Sequence, residues 1–147
     1  MRTPGLQAAI DEAVAGGAEG GIPIGSALEI DGEIVGRGHN RRVQKGSAIL
    51  HGEMDALEAA GRLPPSEYRM ATIYTTLSPC SMCTGAILLY EIPRVVIGEN
   101  RTFLGSESLL RANGVSVEVV DDAGCVAMMT RFITDNPALW NEDIGEM

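Results

Sequence analysis

The sequence has few of the features that mark secreted or membrane-bound proteins. It contains three cysteines among 147 residues, an odd number, and shows no signal-peptide pattern, so a secreted disulfide framework is a poor interpretation. Its longest apolar run covers residues 84–90, whereas a helix that spans a bilayer needs ~20 residues. We therefore expect a cytoplasmic protein that does not bind membranes.

Positive charge is also scarce. Lys and Arg total 11 against 20 Asp and Glu, which gives a net charge of -9 and a pI of about 4.6. Nucleic-acid binders usually carry a basic surface, so this balance counts against a nucleic-acid partner and favours a small, uncharged substrate. Hydrophobic residues make up 45% of the chain, so we expect residues 1–147 to form a single domain with a real core.

The order of the predicted elements indicates an α/β fold. Residues 22–30 and 33–38 flank Asp31-Gly32, a two-residue turn typical of β-hairpins, so these strands should pair antiparallel. Three further strands alternate with helices, which predicts parallel pairing: 71–77, 94–99 and 115–120. The predicted architecture is a three-layer α/β/α fold with a five-stranded mixed sheet, an antiparallel hairpin joined to three parallel strands.

Local signals give the predicted helix boundaries. The first helix should stop at the glycines that follow Ala15, and residues 38–47 read as a polar loop. The helix after the third strand should begin at Ser78-Pro79, since Ser can cap a helix and Pro fits its first turn. Later helices are predicted at residues 107–112 and 121–134.

His51, Cys80 and Cys83 form a candidate zinc site. Three protein ligands leave a fourth position open for water, which distinguishes catalytic zinc from structural zinc. Cysteines three residues apart at a helix start lie on one face, and the helix N-terminus favours their thiolate form. A redox Cys-x-x-Cys is the alternative for the bare pair, but His51 and Glu53 make it much less favoured. We predict one Zn²⁺ per chain.

Glu53 is the candidate acid/base group. A glutamate in the first turn of a helix usually complements the helix dipole, but beside three metal ligands it suits proton transfer. His-x-Glu followed by Pro-Cys-x-x-Cys is the established signature of the zinc deaminases. A non-catalytic zinc-binding module is the alternative, and it would need a fourth ligand; His39 and Cys125 fit that role poorly, and Cys125 reads as a buried small hydrophobe.

The chain resembles the fungal-type cytosine deaminases of the cytidine deaminase-like superfamily over nearly its whole length. The stretches that carry the resemblance are residues 20–25, 36–40, 44–48, 50–53, 74–80, 82–86 and 140–146. The resemblance implies zinc on His51, Cys80 and Cys83, with Glu53 as proton shuttle. It also implies a set of substrate contacts: Asn40, the Gly52 backbone N–H, the Ser78 carbonyl, Asp143, Phe103, Trp140 and Ile24.

The activity that this resemblance implies is hydrolytic deamination of a free pyrimidine base. Cytosine and water would give uracil and ammonia, with zinc-bound hydroxide as nucleophile. The alternatives are a related aminated base (isocytosine, or a purine such as guanine or adenine) and, less favoured, a tRNA adenosine deaminase. Met54-Asp55 and Arg101 depart from the family pattern and bear on which base fits.

Two further expectations concern assembly and access. The cysteine helix is apolar nearly all round at residues 86–90, more than one sheet face can bury, so we expect a homodimer. Residues 136–146 contain the lone tryptophan, Trp140, and are expected to fold over the active site as a lid. Anchoring of the chain terminus is the alternative role for Trp140.

Overall fold

The computed structural model describes residues 2–147, in which helices and strands alternate along the chain. The strands are β1 (Gly25–Ile30), β2 (Glu33–His39), β3 (Ala71–Leu77), β4 (Arg94–Glu99) and β5 (Ser116–Val119). The helices are α1 (Pro4–Ala18), α2 (Arg42–Lys45), α3 (Gly52–Ala60), α4 (Pro65–Tyr68), α5 (Ser81–Leu89), α6 (Glu107–Ala112), α7 (Ala123–Asp135) and α8 (Pro137–Asp143).

The five strands form one mixed sheet in the order β2-β1-β3-β4-β5. Strand β1 pairs antiparallel with both β2 and β3, while β3, β4 and β5 are parallel to one another. Asp31 and Gly32 close the hairpin with φ values of 52° and 78°, the left-handed conformation that a two-residue hairpin turn requires. The predicted fold class is therefore confirmed.

Helices cover both faces of the sheet because its strand residues alternate between two apolar clusters. Ile73, Val95 and Ile97 point to the face that carries Ile87 of α5 and Leu110 of α6. On the opposite face a second cluster packs α1 and α7 against β3 and β4: Leu6, Ala9, Ile10, Tyr74, Val96 and Cys125. Cys125 is buried, as predicted.

Two predicted boundaries on the hairpin side were wrong. Helix α1 runs on to Ala18, because the Glu19 N–H still bonds to the Ala15 and Gly16 carbonyls, and the left-handed turn comes only at Gly20, whose φ is 87°. Residues 38–47 are not a continuous loop, since α2 occupies Arg42–Lys45 and ends at Gly46, whose φ is 61°. This short helix brings the side chain of Arg42 toward the C-terminus.

The start of the cysteine helix was also predicted wrongly. Helix α5 begins at Ser81, with Cys80 as its N-cap residue. The Ser78 hydroxyl does not cap it, because that group donates a 2.6 Å hydrogen bond to the buried carboxylate of Glu107. None of the helices within residues 2–147 combines the length and hydrophobicity needed to cross a bilayer.

Candidate active site

Two helix starts meet at one end of the sheet and bring the predicted metal ligands together. His51 is the residue before α3, Cys80 is the N-cap residue of α5, and Cys83 lies in the first turn of that helix. One ligand atom from each of the three lies within 4.8 Å of the others. Zinc bonds of about 2.0–2.3 Å in tetrahedral geometry separate such donors by about 3.5–3.8 Å, so this donor set fits a single zinc ion.

The orientation of the His51 ring is fixed from both sides. Its Nδ1 atom lies 3.4 Å from the Cys80 sulfur, and its Nε2 atom lies 3.3 Å from the Asp143 carboxylate. Burial lowers the pKa of His51, but the hydrogen bonds to Asp143 and Cys80 raise it to about 10. A carboxylate on the far nitrogen is the usual way in which proteins orient a metal-binding imidazole, so Nδ1 is the nitrogen available to zinc.

The two thiols differ in their environment. Hydrogen bonds from Cys83 and His51 outweigh burial and lower the pKa of Cys80 to about 4. The hydrogen bond to Cys80, together with burial, raises the pKa of Cys83. A coordinated thiol is deprotonated outright, so both sulfurs can serve as thiolate ligands.

Glu53 lies in the first turn of α3 and is 4% exposed. Burial, reinforced by the charge of Cys80, raises the pKa of its carboxyl group to about 7. A carboxyl group whose pKa lies near neutrality can both accept and release a proton. This is the property that a proton shuttle needs.

Asp143 and Asn40 form a buried polar pair beside His51. The Asn40 amide donates to both carboxylate oxygens of Asp143 at 3.2 and 3.1 Å. The Arg42 Nε atom donates to the same carboxylate at 2.8 Å. Burial raises the pKa of Asp143, but its bonds with His51, Arg42 and Asn40 lower it below the usual value. Asp143 is therefore an ionised hydrogen-bond acceptor.

Residues 100–106, here called the aromatic loop, are held by two buried carboxylates. The side chain of Glu99 accepts hydrogen bonds from the backbone N–H groups of Arg101 and Thr102 at 2.7 and 3.0 Å. At the other end of the loop, the Ser78 hydroxyl donates to Glu107 and accepts from the Gly105 N–H at 2.9 Å. These bonds fix the loop that carries Phe103.

The candidate site encloses a small cavity of about 20 Å³, which is room for about one water molecule. Its walls include Phe103 of the aromatic loop and Trp140 of α8, whose rings meet edge to face with centroids 5.7 Å apart. The cavity is lined by Ile24, His51, Glu53, Leu77, Ser78, Cys80, Phe103, Trp140, Asp143 and Ile144. A pyrimidine needs more space than a water molecule, so its entry requires a wall to move.

Every predicted site residue lies in or beside this cavity. Gly52 is the first residue of α3, where the helix keeps free backbone N–H groups, and a Cβ there would lie 3.1 Å from the Ile24 carbonyl oxygen. The prediction that these residues contact substrate stays a prediction. The two alternative fourth ligands have other environments, since the His39 ring lies between Glu12 and Glu19, and Cys125 is in the core.

Sequence reasoning missed five residues of the site, and one of them is Arg42, which bonds to Asp143. Leu77 and Ile144 line the cavity, and Glu99 and Glu107 hold the aromatic loop. From the sequence alone, Leu77 and Ile144 could not be distinguished from ordinary core residues. Glu99 ends a buried strand and Glu107 begins a helix, so burial of these two charged residues was the signal that could have identified them. Only the fold shows which polar groups face them. Arg101 points away, to an exposed ion pair with Asp121.

This fold and this site define a class of protein, the hydrolases that use a three-ligand zinc ion and an adjacent carboxyl group to activate water. Residues 4–99 match the profile of the cytidine and deoxycytidylate deaminase zinc-binding region. The chain belongs to this family of zinc deaminases.

Several deaminases of known function or structure are similar to this chain. The chain is 61% identical to a cytosine deaminase of Candida albicans, with 97% of this chain and 95% of that protein aligned. It is 42% identical to a tRNA-specific adenosine deaminase of Streptococcus pyogenes, over 71% of this chain and 67% of that protein. A solved guanine deaminase from Nitrosomonas europaea shares the fold, with a TM-score of 0.73 at 18% identity over 91% of this chain and 86% of that one.

Proposed function

We propose that this protein deaminates free cytosine to uracil and ammonia, acting in pyrimidine salvage. The observation that carries the proposal is the pairing of a three-ligand zinc site with a small pocket whose polar edge is Asn40 and Asp143. The 61% identity to a cytosine deaminase over nearly the whole chain supports the same base. Residues 1–147 would act as one catalytic domain.

The polar edge of the pocket matches one edge of cytosine. Free cytosine presents a ring N1–H donor beside the O2 carbonyl acceptor. The ionised Asp143 carboxylate can accept from N1–H, while the Asn40 amide and the Gly52 backbone N–H can donate to O2. Phe103, Trp140 and Ile24 would cover the faces of the base, and this pose directs C4 and its amino group toward the zinc ligands and Ser78.

The reaction would use the chain's own groups for proton transfer. A bound zinc ion supplies Lewis acidity, which lowers the pKa of a water molecule at the open position. Glu53 would take a proton from the water that attacks C4 and give it to the ring nitrogen N3. It would then pass the second proton of that water to the amino group, which leaves as ammonia beside the Ser78 carbonyl.

A panel of free bases and nucleosides tests this proposal. Ammonia release should be fastest with cytosine, and kcat/KM for cytidine should be lower by at least ~100-fold, because the ribose replaces the N1–H donor and leaves a buried carboxylate without its partner. Isocytosine, adenine, guanine and an adenosine-containing tRNA stem-loop complete the panel. Comparable kcat/KM for cytidine, or faster turnover of the RNA, would contradict the proposal.

Metal binding and proton transfer should be separable by two substitutions. Glu53→Gln should keep zinc and the fold but lose about 10²–10⁴-fold in kcat, since it removes only the acid/base group. Cys83→Ser should lose zinc and melt at a lower temperature, because part of the metal-binding free energy stabilises the fold. Zinc content, melting temperature and kcat together make this comparison. Retained activity in Glu53→Gln would remove the role given to Glu53.

We also propose that the protein is a homodimer that acts in the cytoplasm. At the end of α5, Leu89 is 71% exposed and Tyr90 44% exposed, and a mainly apolar groove of about 450 Å³ is lined in part by Tyr90. A second copy of the chain would bury these side chains. All three cysteines are free thiols, which suits a reducing compartment, and the acidic charge supports a free base over nucleic acid. Sedimentation as a 15.5 kDa species alone would contradict the dimer.

A further inference from the structure

Arg42 links two distant parts of the chain at the edge of the candidate site. Its Nε atom lies 2.8 Å from an oxygen of Asp143, and its Nη1 atom lies 3.3 Å from Glu142. Its Nη2 atom donates to the Ala48 carbonyl at 3.3 Å. One guanidinium therefore joins residues 42–48 to the C-terminal segment, defined here as residues 136–146.

The Asp143 carboxylate depends on this contact because it is almost fully buried, with a side chain 2% exposed. A buried carboxylate is costly unless a cation or several donors satisfy it. When one nitrogen of His51 binds zinc, the ring is neutral, and its other nitrogen offers Asp143 an N–H donor but no positive charge. The Arg42 guanidinium always carries its charge, so it is the permanent cation beside Asp143.

Arg42 also fixes the neighbour of Asp143. The backbone N–H of Arg42 donates to the Asn40 Oδ1 atom at 2.9 Å. This bond turns the amide so that its Nδ2 atom faces Asp143. The donor and the acceptor of the proposed base-binding edge are thus both held by one residue, through its backbone and its side chain respectively.

We propose that Arg42 is a positioning residue that latches the C-terminal segment closed and aligns Asp143 for the base. The inference rests on the proposed function for its kinetic part, since the base is the ligand that Asp143 would read. The latch itself is a property of the fold. It can be followed without any substrate, because Trp140 is the only tryptophan of the chain and lies on the latched segment.

Arg42→Gln tests the latch, and Lys45→Gln is the matched control. Both remove one positive charge from α2, but Lys45 is an exposed residue at the far end of that helix. Arg42→Lys keeps the charge without the planar fork, so it should restore part of the effect. Zinc content and melting temperature are measured for all three variants, and a folded Arg42→Lys keeps the proposal testable if Arg42→Gln unfolds.

The first readout is Trp140, which is 6% exposed in the closed segment. Arg42→Gln should shift its emission to longer wavelength and increase its quenching by acrylamide, and Lys45→Gln should match the wild type. The second readout is the split between KM and kcat for cytosine. Arg42→Gln should raise KM by roughly 10- to 100-fold, as expected for a lost charged hydrogen bond, with a much smaller change in kcat.

The two readouts distinguish a failure of the latch proposal from a failure of the proposed function. Wild-type emission together with wild-type KM in Arg42→Gln would overturn the latch. So would equal effects of Arg42→Gln and Lys45→Gln, because the cause would then be net charge. If the wild-type protein does not turn over cytosine, the proposed function fails, and a red-shifted Trp140 in Arg42→Gln would still support the latch.

Discussion

The aromatic loop and the C-terminal segment supply the two aromatic walls of the pocket, and they are held by different kinds of contact. Glu99 accepts from backbone N–H groups next to it in the chain, and Ser78, which is bonded to Glu107, accepts from the Gly105 N–H, so the loop carrying Phe103 is fixed by the core of the molecule. The segment carrying Trp140 is held through Asp143 by groups about a hundred residues earlier in the chain. The aromatic loop is therefore called the built-in wall here, and the C-terminal segment the attached wall.

This difference indicates which wall opens. Releasing the aromatic loop would take two backbone donors from the buried Glu99 carboxylate and the Gly105 N–H from the Ser78 hydroxyl, at a cost of about 1–3 kcal/mol for each lost partner. Releasing the C-terminal segment exposes the Trp140 ring, which packs with Leu77, but the charged groups Asp143 and Arg42 regain water, which hydrates both of them. We therefore expect the segment to move during base entry and product release, and the loop to stay in place.

Removing the attached wall should have the largest effect on activity. A chain truncated after Asp135 should stay folded and bind zinc, because the segment contributes to only one of the three apolar clusters, the one that contains Trp140, and not to those around Ile73 and Tyr74. It should lose at least ~100-fold in kcat/KM, since Asp143 and Trp140 are gone and the site is open to water. Circular dichroism, zinc content and steady-state kinetics make the test. Full activity would show that the segment only anchors the terminus.

Weakening the built-in wall should lower stability more than it changes KM. Glu99→Gln replaces a carboxylate, 0% exposed, that accepts from two backbone N–H groups, so we expect a loss of about 1–3 kcal/mol in the free energy of unfolding. Glu118→Gln is the control, because Glu118 makes an exposed ion pair with Arg94 worth below about 1 kcal/mol. Urea denaturation measures both. Equal stability of the two variants would contradict a structural role for Glu99.

Changing the contact between the Phe103 and Trp140 rings should have a smaller effect on KM, and the effects of the two substitutions should be coupled. Phe103→Leu and Trp140→Phe keep most of the apolar volume but lose the edge-to-face geometry, so each should raise KM by roughly 2- to 10-fold. In a double-mutant cycle the two changes should not add, because the rings touch each other. Additive changes in KM would show that the rings act on the base independently.

The smallest effect is expected at an ion pair outside both walls. The hydrogen bond from Arg2, opposed by burial, lowers the pKa of Asp122 to about 2. A carboxyl pKa depressed on folding stabilises the fold above the unfolded pKa of about 4, and this contribution is lost as the pH falls toward 2. Asp122→Asn keeps a good helix cap. Its stability deficit, below about 1 kcal/mol, should therefore shrink with acidity, and a pH-independent deficit would contradict the assignment.

What the sequence predicts well here is what depends on neighbours in the chain. The Asp31-Gly32 turn and the alternation of strand and helix gave the sheet, and the spacing of Cys80 and Cys83 gave the metal site with His51. The contacts that hold the walls depend on chain-distant groups. The start of α5 was predicted wrongly and the role of Arg42 was overlooked for the same reason. Ser78 meets Glu107, and Arg42 meets Asp143, only in the folded protein.

The closed pocket has a thermodynamic consequence. Asp143 is already bonded to Asn40 and to His51, so at this edge an incoming base exchanges hydrogen bonds with the protein, and the Gly52 N–H offers the one new donor. The net enthalpy of that exchange is small, and affinity must come from the apolar area that the rings bury, with a negative heat-capacity change. Discrimination works through the same exchange, because a ligand without a matching N–H donor leaves Asp143 short of a partner that it has in the resting protein.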